Sequence, residues 1–93
     1  MSQELENRLH DFGKKVRDFC RKAKWDIINV EYIRQVIRSS GSVGANYIEA
    51  NESFSAKDFL LRIKICRKEA KETIYWLKPL GNTTSSFKKG FID

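Results

Sequence analysis

Residues 55–80 read SAKDFLLRIKICRKEAKETIYWLKPL, and their spacing decides the fold. Phe59, Ile63, Cys66, Ala70, Ile74 and Leu77 recur at intervals of three and four, which puts them on one face of a helix. Ser55 stands at the N-cap position, and Asp58 follows at capping-box spacing with Asp in place of the usual Glu. Phe54 and Phe59 occupy the two positions of a hydrophobic staple. Pro79 and then Gly81 stop the helix, because proline lacks the N–H that the next turn needs and glycine suits the exit. The stretch therefore predicts a helix over residues 56–78.

The same periodicity extends toward the N-terminus. A helix over residues 30–51, with Asn29 as its N-cap, has one stripe made of Val30, Ile33, Ile37, Ser40, Gly41, Gly44 and Ile48. Val36, Val43, Tyr47 and Ala50 widen that stripe to about half the circumference, so this helix is expected to pack on two sides. A helix over residues 4–24 carries Leu5, Leu9, Phe12, Val16, Phe19 and Ala23 as a heptad seam, with Gly13 on its polar side. Within the middle helix, Ser39-Ser40-Gly41-Ser42-Val43-Gly44-Ala45 has neither the GK[ST] nor the preceding strand of a phosphate-binding loop. A break in the helix is one reading; the favoured one is that small side chains admit a neighbouring helix closely. The expected architecture is all-α: an antiparallel up-down bundle of three long helices in a single domain, residues 1–80. Residues 81–93 form a polar tail in which Phe87 and Phe91 could dock as one turn.

Composition limits the function. Eighteen Lys+Arg against twelve Asp+Glu give a formal net charge of +6 in 93 residues, which leaves room for one basic domain. No apolar run approaches the roughly 18 residues of a membrane span, and the charged N-terminus is unlike a signal peptide, so a cytoplasmic chain without membrane contact is expected. Cys20 and Cys66 lie far apart, each on an apolar helix face, and read as buried thiols rather than a disulfide or metal pair. His10 is the only histidine and has no partner at ligand spacing. Asn46 and Glu49 share a helix side as a polar pair, but one carboxylate and one amide make no acid–base site. No catalytic residue, metal ligand or cofactor site is assigned, and the chain is not expected to be an enzyme.

Two features of the third helix exceed what a core needs. Leu61, Ile65 and Trp76 form a second apolar stripe away from the core face, and joining copies of the same chain is its simplest use. Lys57, Lys64, Lys71 and Lys78 recur every seven residues, with Arg67 and Lys68 beside them and Tyr75 on the same side. The acids Asp58, Glu69 and Glu72 fall on the other flank. The lysine run extends roughly 32 Å along a helix axis, a length suited to several phosphates. No RNP aromatics, zinc-finger spacing or helix-turn-helix accompanies it, so nothing reads bases. The reading is a non-catalytic, basic, oligomeric adaptor binding RNA or DNA phosphates, and a protein partner as well. The alternative is a structural or protein-interaction module whose charge serves solubility.

Residues 37–80 resemble the bacterial "four helix bundle protein" family, relatives of proteins encoded in intervening sequences of large-subunit ribosomal RNA genes. The resemblance rests on Arg38, Ser40, Ser42, Val43, Ala45, Asn46 and Glu49, then on Phe59, Leu60, Arg62, Ile63, Glu69 and the pair Trp76-Leu77. It departs at Ala50, where the family's common A-E-G does not continue, and at Pro79, where a fourth helix usually begins its approach. The resemblance implies an antiparallel four-helix bundle, here without its C-terminal helix, by truncation or because neighbours cover the seam. It further implies a ring of five and, from the branch that serves diversity-generating retroelements, nucleic acid and a reverse transcriptase as partners.

Overall fold

The computed structural model describes residues 3–81 and contains three α-helices, α1 (Gln3–Lys22), α2 (Asn29–Asn51) and α3 (Ala56–Leu77), followed by a 3₁₀ turn at Lys78–Leu80. The described residues contain no strand, and the all-α bundle is the expected fold class. Phe87 and Phe91 lie outside the described residues. Lys78 falls in the 3₁₀ turn rather than in α3, because Pro79 at the next position cannot donate the helical hydrogen bond.

The starts of α2 and α3 have local causes, and two details differ from expectation. The α3 start is as anticipated, with Ser55 extended and its hydroxyl accepting from the Asp58 N–H at 3.1 Å. The staple does not form: Phe54 is fully exposed while Phe59 is half-buried, so the two rings do not share a pocket. Asn29 does not cap α2 either. Asp26 Oδ1 accepts from the N–H groups of Ile28 (3.0 Å) and Asn29 (2.7 Å), and Asn29 is already helical. The Asn29 amide donates backward to the Lys24 carbonyl at 3.0 Å, and the Trp25 indole donates to the Cys20 carbonyl at 2.9 Å. These bonds tie the α1–α2 turn to the end of α1.

The core joins Phe12, Val16 and Cys20 of α1 to Ile33, Val36, Val43 and Tyr47 of α2 and Cys66, Ala70, Ile74 and Leu77 of α3. The backbones of α2 and α3 approach each other closely, whereas α1 stands farther from α2. Cross-bonds between Asn46 and Arg62, Val43 and Cys66, and Ser39 and Thr73 show that α2 and α3 run antiparallel.

The small-residue stretch of α2 is continuous helix, and its role is divided. Ser39 is fully buried against α3, and its hydroxyl lies 2.7 Å from that of Thr73, which is also fully buried. Gly41 and Gly44 do not serve close approach among the described residues: no atom of a neighbouring element lies within 4 Å of the Cβ that either lacks. Ile37 and Ile48, expected in the packed stripe, are both more than half exposed. The two-sided packing of α2 therefore leaves a strip of its apolar surface uncovered.

Burial separates the apolar residues that matter from those that do not. Leu77→Ala should lower the unfolding free energy by about 2–5 kcal/mol, because it empties a fully enclosed site. Phe54→Ala should change it by less than about 0.5 kcal/mol, since the ring packs on nothing. Urea unfolding followed by circular dichroism distinguishes the two; a large loss at Phe54 would restore the staple.

Candidate nucleic-acid interface

The rotation of α3 about its axis decides which side chains reach solvent. Cys66, Ala70, Thr73, Ile74 and Leu77 are buried, which turns Lys57, Lys64, Arg67, Lys68 and Lys71 outward, with Lys78 just beyond the helix end. All six are exposed, and among the described residues none takes part in an ion pair. Seven residues turn a helix through nearly two full circles, so the lysines at this interval drift by only about 20° per step. The result is a continuous basic face, flanked by Tyr75, whose ring meets Trp76 edge-on at 4.9 Å.

The acids of α3 do not dilute this face. Glu69 and Glu72 point to α2, where Arg38 lies between them. Its Nη1 is 3.5 Å from Glu69 Oε2, its Nη2 donates to Glu72 Oε1, and its Nε donates to Gln35 Oε1 at 2.9 Å. Glu69 Oε2 is buried and accepts no hydrogen bond, so the Arg38 charge is what balances it. Arg62, the seventh base of the stretch, is also turned away and donates to Asn46 Oδ1 at 3.1 Å. Asp58 is exposed at the first turn of α3. Charge segregation along α3 thus has a structural cause: α2 takes Glu69, Glu72 and Arg62, and solvent receives the rest.

The motif residues of α2 separate into clasps and surface groups. Arg38 holds the two glutamates, and Asn46 bridges to α3 while its Nδ2 donates to the Ser42 carbonyl (2.9 Å) and hydroxyl (3.1 Å). Ser40 donates only to the Ile37 carbonyl of its own helix, at 3.2 Å. Glu49 is exposed; the amide of Asn46 is engaged with Ser42 and Arg62 rather than with Glu49. The second apolar stripe of α3 is graded: Leu61 is exposed, Ile65 half-buried, and Trp76 packs beside Tyr32 while its indole donates to Glu72 Oε1 at 3.1 Å. The Ser39–Thr73 pair was not read from the sequence, although both residues interrupt apolar stripes at core positions.

Both thiols are buried. Burial pushes Cys20 and Cys66 above the ordinary thiol range, although in Cys66 a backbone hydrogen bond pulls the other way. A thiol raised in the folded state adds stability below its unfolded value of roughly 8.5, and that contribution is lost as pH rises beyond it. Among the described residues no three of His, Cys, Asp and Glu converge, and no helix is long and apolar enough to cross a membrane.

Two outcomes test this arrangement. Arg38→Ala should cost about 1–3 kcal/mol by leaving the Glu69 carboxylate without its counter-charge, whereas Arg17→Ala, at an exposed pair, should cost under about 0.5 kcal/mol. A disulfide reagent should leave both cysteines unmodified in the native protein at neutral pH and label both in urea; fast native labelling would contradict their burial.

No curated protein and no solved structure matches the chain. A family model described as 23S rRNA-intervening sequence protein matches residues 3–88, which takes in all three helices. The clasped α2–α3 pair thus sits within a match that covers most of the sequence, and the chain belongs to the 23S rRNA-intervening sequence protein family.

Proposed function

We propose that the protein is a non-catalytic, basic adaptor that binds RNA or DNA through phosphates on the outer face of α3 and associates with copies of itself. The observation that carries this reading is that, among the described residues, Lys57, Lys64, Arg67, Lys68, Lys71 and Lys78 take part in no ion pair and are all exposed on one side. Surface bases on a helical protein commonly find an i,i+4 acid; here Glu69 and Glu72 are engaged by Arg38, and the bases keep their charge for an external polyanion. The family description refers to intervening sequences of 23S ribosomal RNA, which agrees with an RNA-linked role. The face offers no aromatic pocket or groove-sized element for base edges, so binding is independent of sequence.

Fluorescence anisotropy with short RNA and DNA tests the reading. Six phosphate contacts predict that log affinity falls with log salt at a slope of roughly −4 to −5. Changing Lys57, Lys64, Lys71 and Lys78 together to Glu should abolish binding at physiological salt without altering the helical signal. Unchanged affinity in that variant would leave a structural or protein-interaction module whose charge serves solubility.

A further inference from the structure

A cavity lies between α1 and α3. These two helices approach each other less closely than either approaches α2, and the space left between them encloses about 200 Å³. Tyr47 of α2 with Cys66 and Ala70 of α3, all buried, form its floor. The half-buried Leu5, Leu9 and Ile63 form its walls. Arg8 of α1 and Arg67 of α3, both exposed, stand at the rim, one from each helix. The cavity is therefore apolar at depth and cationic at its mouth.

Volume, charge and one unmet hydrogen bond define what fits there. An apolar cavity of roughly 150 Å³ takes a benzene ring, so about 200 Å³ takes a ring with a short arm. Two guanidinium groups at the mouth favour an anion, and a carboxylate matches their planar donors. At the floor, Tyr47 is 6% exposed, and its phenol oxygen has no hydrogen-bond partner among the described residues. A buried hydroxyl in that state is unfavourable, and an acceptor brought to it recovers the bond. Charge thus belongs at the mouth and an oxygen at the inner end.

We propose that the α1–α3 cavity binds a small carboxylate whose apolar body is the size of a phenyl ring and whose far end carries an oxygen. Arg8 and Arg67 hold the carboxylate, Leu5, Leu9 and Ile63 cover the body, and the Tyr47 hydroxyl donates to the far oxygen. Hydroxyphenyl acids have this chemistry. The proposal goes beyond the nucleic-acid reading and does not depend on it. Arg67 also belongs to the basic face of α3, so Arg8 carries the test of charge.

Calorimetric titration of the full chain with para-hydroxyphenylpropionate tests it. Saturable binding at one site per chain is expected. Phenylpropanol, which lacks the charge, and acetate, which lacks the body, should each bind about fivefold more weakly or worse. Arg8→Gln should weaken binding about two- to fivefold, the range for one ion pair at an exposed mouth. Unsubstituted phenylpropionate should bind less tightly than the hydroxylated acid, and Tyr47→Phe should erase that difference. Ile63→Trp fills the cavity from a half-buried position and should abolish binding with the helical spectrum unchanged; Leu9→Phe is a second filling variant. No saturable binding to the wild type overturns the proposal and leaves the cavity to a second copy or to residues 82–93. Equal affinity for acid and alcohol overturns it too, as does unchanged affinity in Arg8→Gln. So does a hydroxyl preference that is absent or that survives Tyr47→Phe, or undiminished binding in a folded filling variant.

Discussion

The angle at which α3 is rotated against α2 governs every surface of the protein, and a short ladder of polar contacts sets it. Ser39 and Thr73 meet at full burial, where a mismatch of register would cost the bond between their hydroxyls in an otherwise apolar seam. Each hydroxyl carries one hydrogen, so with the Glu69 carbonyl 2.8 Å from Thr73 Oγ1 and the Gln35 carbonyl 2.8 Å from Ser39 Oγ, one hydroxyl donates to its own helix and the other donates across the seam. On either side of this pair, Arg38 reaches Glu69 and Glu72, and Asn46 reaches Arg62. Apolar packing would tolerate a sliding of α3 by one residue far better than these paired groups do.

That ladder also distributes the charge. The Arg38 clasp stabilises through the buried Glu69 carboxylate, and its second effect is on what is left over. By engaging the two glutamates on the α2 side, Arg38 withdraws the acids that could have screened the lysines one turn away. The lysine face is basic because of a contact on the other side of the helix. A formal charge of +6 spread evenly would make a weak field; segregation concentrates it.

The fold was legible in the sequence wherever periodicity and caps agreed. The spacing from Phe59 to Leu77 placed α3, and Ser55 capped it as its residue type requires. Less was legible at helix ends: Asn29 was the expected cap of α2, but the carboxylate of Asp26, three residues earlier, accepts the N–H groups of Ile28 and Asn29. The staple failed because Phe54 and Phe59 satisfy a pattern in sequence that the turn at residues 52–55 does not bring together. For the candidate site, residue types and helical phase identified the basic face, since exposure follows from the opposite stripe being core. The partners of Arg38, Arg62 and Trp76 were not legible, because long polar side chains choose among several neighbours only once the helices are placed. The glycines of α2 were read as a means of close approach, whereas Ser39 fills that role and the glycines face open space.

The inequality of the two seams has a dynamic consequence. α2 is bound to α3 by close backbone approach and polar clasps, but stands farther from α1 across a groove. Opening free energies follow buried contact, so the molecule comes apart in a fixed order. α1 is the element that detaches first, swinging on the turn that Asp26 and Trp25 organise, while the α2–α3 hairpin remains as the residual folded unit. In amide exchange this makes α1 the fast-exchanging third of the protein, and in folding it makes the local α2–α3 hairpin the early nucleus onto which α1 closes.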